Sequence, residues 1–168
     1  SALTSFFLFM RADSYDQAVF WLLGSFQLAE WGQVATIAPW VAVCLLAAVW
    51  LGRDMDLLAL GDETAQALGC PVRRVRKVFL AMSALLAALA VAASGVIGFV
   101  GLVVPHWVRI LIGPSHRPLF VSSALAGGIF LLYCDILARN LLPAELPIGV
   151  ITAAVGAPLF LYLLHKKR

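Results

Sequence analysis

The segment 53–77, RDMDLLALGDETAQALGCPVRRVRK, is the only long polar interruption in an otherwise apolar sequence. It carries nine charged residues, five basic and four acidic. The apolar runs on either side of it are long enough to cross a membrane. The chain is therefore organised around one polar element at a membrane surface, and we expect a soluble partner to dock there.

Local signals in this segment predict two short helices. Residues 54–60 can form two turns that Gly61 ends, Asp62 can cap a second helix, and Gly69 can take the left-handed conformation that stops it. An ordinary solvated loop between two spans is the alternative. The predicted pair, over 54–69, has these candidate docking residues: Leu57, Leu58, Leu60, Gly61, Asp62, Glu63, Ala65, Leu68 and Gly69.

Composition identifies the class of protein. The 168 residues are 62% hydrophobic and 12% charged, with a mean hydropathy of +0.97, whereas soluble domains carry about 25% charged residues. The net charge of +3 does not indicate nucleic-acid binding, because the basic residues cluster at the ends of apolar runs. Cys44, Cys70 and Cys134 are far apart without a CxxC motif, so we predict buried, inert thiols.

The apolar runs predict an all-α fold, a polytopic transmembrane helical bundle with about five full spans in a single domain. Because the chain starts at Ser1 with an apolar run of only ten residues, we expect a truncated first span and a longer natural protein. In chain order we predict the end of a span at 1–10, a short external helix at 14–24, spans at 34–51 and 78–95, a short span at 98–112, and spans at 119–138 and 146–164.

The uncharged run 78–108 is too long for one upright span. As one helix it would be about 46 Å long, against a hydrocarbon core of about 30 Å. We therefore predict a reversal near Gly95 to Gly98, with a single strongly tilted helix as the alternative. The reversal places ten Lys and Arg residues on one side and only Arg11 and Arg139 on the other, which predicts that segment 53–77 and the C-terminus are cytoplasmic.

Two further groups of residues are candidates for function. Gly149, Ala153 and Ala157 repeat every four residues with Gly156 beside them, a smooth stripe that suits either packing within the bundle or a subunit interface along a pathway. Asp135 and Arg139 lie one turn apart near the external end. They form either a structural pair or, through Arg139 and nearby Glu145, a contact for an external protein.

Catalytic and metal sites are not indicated. His106, His116 and His165 have no ligand spacing, and the sequence has no HExxH motif and no nucleophile elbow. There is also no phosphate-binding GKS/T loop, so ATP would have to be bound by another chain. A cofactor of this chain is not expected. An ion-coupled secondary transporter, with Asp135 as its ion site, is the alternative function, and a membrane-embedded enzyme is the weakest.

Three runs in order and spacing resemble a known family: LLALGDETAQALGCPVRRVR at 57–76, SGVIGFVGLVVPHWVRILIGPSHR at 94–117 and AELPIGVITAAVGAPLFLYLL at 144–164. They resemble the FecCD-type permease subunits of ABC importers for iron-siderophore, haem and cobalamin, and the resemblance covers essentially the whole chain. It implies the C-terminal half of a permease in the bacterial inner membrane, moving a metal chelate from periplasm to cytoplasm.

The resemblance also implies partners and roles. Such permeases work with a second permease subunit, two cytoplasmic ATPase subunits and a periplasmic binding protein, surrounded by membrane lipid. Segment 57–69 would be the coupling helices that dock on the ATPase, and the last span around 149–157 would line the pathway at the subunit interface together with 1–10. Arg139 would contact the binding protein, and helix 14–24 would gate the pathway externally.

Overall fold

The computed structural model describes residues 22–26, 29–140 and 146–166. The predicted span end at 1–10 and nearly all of the predicted external helix at 14–24 lie outside the described residues. Within the described ranges the chain is helical, with no strand. The helices that lie in these ranges are α1 (Trp31–Trp50), α2 (Gly52–Leu58), α3 (Asp62–Ala67), α4 (Val72–Ser94), α5 (Val100–Ile112), α6 (His116–Asn140) and α7 (Ile148–Lys166).

Three of these helices, α1, α4 and α6, are long and apolar enough to cross a membrane, with 20, 23 and 25 residues. At 1.5 Å per residue they measure about 30 to 38 Å, which matches the hydrocarbon thickness of a bilayer. The first and last residues of α1 are Trp31 and Trp50, which are 88% and 78% exposed. Tryptophan favours the membrane–water boundary, so this spacing fits a helix that spans the apolar layer.

Helix α4 starts earlier than the sequence predicts. It begins at Val72, directly after Pro71, and not at residue 78. Arg73, Arg74 and Arg76 therefore form the first turns of the membrane helix itself. A long arginine side chain can lie along a helix and keep its charge in water, so the helix need not end at the membrane boundary.

A reversal separates α4 from α5, and a single tilted helix across 78–108 is therefore wrong. Helix α4 ends at Ser94 and is followed by Gly95, whose φ is 70°, and α5 begins after Phe99, whose φ is 65°. Among the described residues Phe99 is the only non-glycine residue with positive φ. The amide of Ser25 donates to the carbonyl of Ser94 at 2.9 Å, so the segment before α1 is attached to this turn.

Three buried clusters hold the helices together. The first joins α2 and α3 to the start of α4, the second joins the end of α6 to the start of α7, and the third joins α5 to α6. The three cysteines are free, and all three are buried as predicted. The buried members are Ala65, Cys70, Val72 and Val75 in the first cluster, Cys134, Ala138, Ile148 and Ile151 in the second, and Val104, Val108 and Leu119 in the third.

Candidate functional site

The polar segment folds as two short helices, α2 and α3, joined by a tight turn. Gly61 has φ 105° and ψ 152°, a backbone conformation that residues other than glycine rarely adopt. It is also the N-cap of α3, so the predicted capping role of Asp62 is wrong: Asp62 is already helical. A Gly at this position can turn the chain sharply and still start the helix, whereas an aspartate cap would need an extended backbone.

The end of α3 follows from a glycine and two hydrogen bonds. Gly69 has φ 83°, its amide donates to the carbonyl of Gln66 at 2.9 Å, and the amide of Cys70 donates to the carbonyl of Ala65 at 2.9 Å. This pairing is the Schellman motif, which satisfies the last carbonyls of a helix. The motif also turns Cys70 inward beside Ala65, where both belong to the first buried cluster.

An ion pair adds a second attachment of α3 to α4. Arg76 Nη2 lies 2.8 Å from Asp62 Oδ1 and 3.0 Å from Oδ2. Both side chains are more than half exposed, and exposed pairs contribute only about 0 to 1 kcal/mol. The apolar cluster is therefore the main attachment of α3 to α4, and the ion pair is a minor one.

The predicted docking residues do not share one face. Leu57 and Leu58 are half-buried against the first cluster, and Ala65 has no exposed surface at all. Ala65 therefore packs inward and cannot touch a partner, although Leu68, three residues later, is 60% exposed. Those of the predicted residues that are exposed are Leu60, Gly61, Asp62, Glu63, Leu68 and Gly69, and we call them the docking surface after the role that the sequence predicts for them.

Asp56 is a residue that sequence reasoning missed. Its Oδ1 accepts the backbone amide of His116 at 2.9 Å and lies 2.6 Å from His116 Nδ1. Burial raises the pKa of the Asp56 carboxyl, but the hydrogen bonds from His116 and the charges of His116 and Arg117 lower it by more, so the pKa lies below its ordinary value of 3.8. The two residues are 60 positions apart, and no local pattern in the sequence relates them.

Asp135 and Arg139 form the structural pair that was one of the two predictions. Arg139 Nε donates to Asp135 Oδ2 at 2.9 Å within α6. The Arg139 side chain is still 49% exposed, which leaves it accessible to a partner. Glu145, predicted to act with it, lies outside the described residues. Because Asp135 is bound to Arg139, it is a weak candidate for the ion site of a secondary transporter.

The small-residue stripe of α7 packs largely inside this chain. The carbonyl oxygen of Leu23 occupies the space that a Cβ on Gly149 would need, and the Phe99 side chain does the same at Gly156, which is buried. Gly149 and Gly156 therefore pack within this chain, as the first of the two interpretations of the stripe predicts. Ala153 and Ala157 are half-buried. The side of α7 that is exposed carries Val150, Ala154, Val155 and Leu161.

The comparisons with known proteins agree with this architecture. Residues 1–166 match the model of the FecCD transport family. The chain is 42% identical over 99% of its length to the cobalamin import system permease protein BtuC of Halobacterium salinarum, covering 45% of that protein. It is 40% identical over 100% of its length to the Fe(3+) dicitrate transport system permease protein FecD of Escherichia coli, covering 53% of it.

A solved structure is also similar. It is a metal-chelate type ABC transporter in an inward-facing conformation, 37% identical, with a TM-score of 0.83 over 99% of this chain and 56% of that one. The chain thus spans about half the length of the curated relatives it matches. The family match over nearly every residue, together with membrane-length helices around a two-helix polar element, establishes that this chain belongs to the FecCD transport family.

Proposed function

We propose that this chain is the C-terminal half of a permease subunit that imports a metal chelate, driven by a separate ATPase. The relatives named above are permease proteins for cobalamin and ferric dicitrate, and another at 41% identity, from Bacillus subtilis, is one for iron(3+)-hydroxamate. All three substrates are metal chelates. The substrate class is therefore a metal chelate, with an iron-siderophore as the first compound to try and haem or cobalamin next.

The observation that carries the proposal is the docking surface. Two short helices, separated by Gly61 and followed by Gly69, leave Leu60 63% exposed and Leu68 60% exposed. Exposed leucines on a polar element indicate a protein contact, because the free energy falls when a partner covers an apolar side chain. A compact helical pair can also transmit a movement of that partner, which a slack loop would absorb.

The orientation of the chain follows from its basic residues. Arg109 Nη2 lies 3.4 Å from His116 Nε2, and His116 binds Asp56 of α2. Arg117 Nη2 donates to the carbonyl of Trp50, the last residue of α1, at 3.5 Å. These contacts support the placement of both arginines on the same side as segment 53–77. Together with the five basic residues of segment 53–77 they give this side an excess of positive charge, so we infer that it faces the cytoplasm of a bacterial inner membrane. ATPase subunits would bind there, a second permease subunit would complete the pathway, and a periplasmic binding protein would reach Arg139 from the opposite side.

Co-purification of the ATPase subunit with the full-length protein that carries this sequence tests the proposal. Leu60→Asp and Leu68→Asp place a charge on the docking surface, and we expect each to abolish co-purification. Leu60→Met and Leu68→Met keep an apolar side chain of similar volume, and they serve as matched controls that retain the partner. An ATPase that binds the aspartate variants as well as wild type would contradict the docking assignment.

A further inference from the structure

Helix α2 meets the start of α6 at two points on one face. Gly52 and Asp56 are four residues apart and therefore point to the same side of α2. A Cβ built on Gly52 would lie 2.6 Å from Arg117 Cγ and 3.2 Å from the Arg117 backbone nitrogen, so α2 lies in direct contact with α6 here. One turn further along, Asp56 binds His116.

The carboxylate of Asp56 acts as the N-terminal cap of α6. The first amides of a helix have no partner within the helix, and their partial positive charge attracts a carboxylate. Asp56 Oδ1 takes the amide of His116, the first residue of α6, at 2.9 Å. The cap of a membrane-length helix is thus supplied by α2, which together with α3 we call the docking element, and not by a neighbouring residue such as Ser115.

The imidazole of His116 extends this connection to α5. Arg109 Nη2 lies 3.4 Å from His116 Nε2. A hydrogen bond from Arg109 requires the tautomer in which Nε2 accepts, because a guanidinium can only donate, and in that tautomer Nδ1 donates to Asp56 at 2.6 Å. The His116 side chain is only 13% exposed, so its ring is held between a carboxylate of α2 and a guanidinium of α5.

Apolar packing continues the connection into the membrane. Val104 and Val108 of α5 pack with Leu119 of α6 in the third buried cluster. Closely packed helices move together, because a core has few voids into which one side chain can shift alone. A displacement of α2 at the membrane surface therefore reaches α5 and α6 as a pair.

We propose that Asp56 and His116 are positioning residues that form a mechanical joint between the docking element and the α5–α6 hairpin. The joint carries the movement of a bound ATPase into the membrane helices. This inference rests on the proposed function. It predicts that loss of the joint lowers uptake per ATP hydrolysed but leaves ATPase binding intact, since the docking surface at Leu60 and Leu68 includes neither Asp56 nor His116.

The test uses the full-length permease with its ATPase and binding protein, reconstituted in proteoliposomes. Ferric citrate, ferric hydroxamate, haemin and cobalamin are each offered, and uptake per ATP hydrolysed is measured. Asp56→Ala and His116→Ala are expected to keep ATPase co-purification but to lower uptake per ATP by about fivefold or more, the range of typical coupling between sites. The double variant should fall no further than the lower single variant, because both substitutions remove the same interaction.

Two further variants separate a joint from a purely structural role. His116→Asn retains a donor that can reach Asp56, and it should restore most of the uptake per ATP. Asp54→Ala removes the other carboxylate of α2 and should leave the ratio at the wild-type value. A structural role alone would lower the yield of assembled transporter without changing the ratio.

The outcomes distinguish the inference from the proposed function. If wild-type permease takes up none of the four compounds or does not retain its ATPase, the proposed function fails and the joint fails with it. If wild type transports and Asp56→Ala transports with the same uptake per ATP, the joint alone is overturned. Additive effects in the double variant would likewise contradict a shared interaction.

Discussion

Asp56 holds the N-terminus of a membrane-length helix through a single carboxylate oxygen. Its pKa lies below the ordinary value because the ionised form accepts two hydrogen bonds from His116 and lies near Arg117. The interaction is stronger than an ordinary surface ion pair, since one of the donors is a helix amide and the imidazole is largely shielded from water. The charge of one residue on α2 thus contributes to where α6 begins.

The pH dependence of stability should report this interaction. A carboxyl with a lowered pKa stabilises the folded state above its unfolded pKa, and that contribution is lost as the pH falls through the folded pKa. We expect the thermal unfolding temperature of wild type to exceed that of Asp56→Asn at pH 6, and the difference to shrink below pH 3.8, the ordinary value for this group. A difference that stays constant down to pH 3 would show that the Asp56 charge does not stabilise the fold.

Apolar burial holds α2 and α3 in place against the start of α4. Val75 is 2% exposed and lies beside Ala65 and Cys70, whereas the ion pair between Arg76 and Asp62 is open to solvent. Removing two buried methyl groups costs about 2 kcal/mol with the cavity that they leave. Breaking an exposed ion pair costs about 1 kcal/mol or less.

Limited proteolysis of the docking element should rank these two contributions. We expect Val75→Ala to increase cleavage within segment 53–77 by proteinase K, and Arg76→Ala to leave the cleavage rate close to wild type. Leu80→Ala, at an exposed position of the same helix, controls for loss of side-chain volume outside the cluster. Faster cleavage of Arg76→Ala than of Val75→Ala would mean that the ion pair is the main attachment.

Helix α6 extends across the whole molecule, from one side of the protein to the other. It runs from His116, beside the docking element, to Asn140, and its 25 residues span about 38 Å. Leu60 and Asn140 should therefore lie on opposite sides of the membrane. The native thiols give little background in a labelling experiment, because all three are buried and because burial and the nearby Asp54 raise the pKa of Cys70.

Labelling with a membrane-impermeant maleimide tests this topology. In right-side-out vesicles we expect Asn140→Cys to react and Leu60→Cys to be protected, and in inside-out vesicles the reverse. Wild type, in which the three cysteines of this sequence are buried, is the control in both preparations. Reaction of both cysteines from one side would contradict the proposed orientation.

The amino-acid sequence was enough to predict the membrane class, the two-helix polar element and the reversal near Gly95, because composition, glycine conformation and helix end signals act within a few residues. Which side chains point outward depends instead on how the helices pack. The sequence predicts a partner contact for Ala65 and, as one of two interpretations, for Gly156, but both pack inward. No local pattern predicts the contact of Asp56 with His116. These outcomes depend on how helices tens of residues apart pack together, and local periodicity does not record that packing.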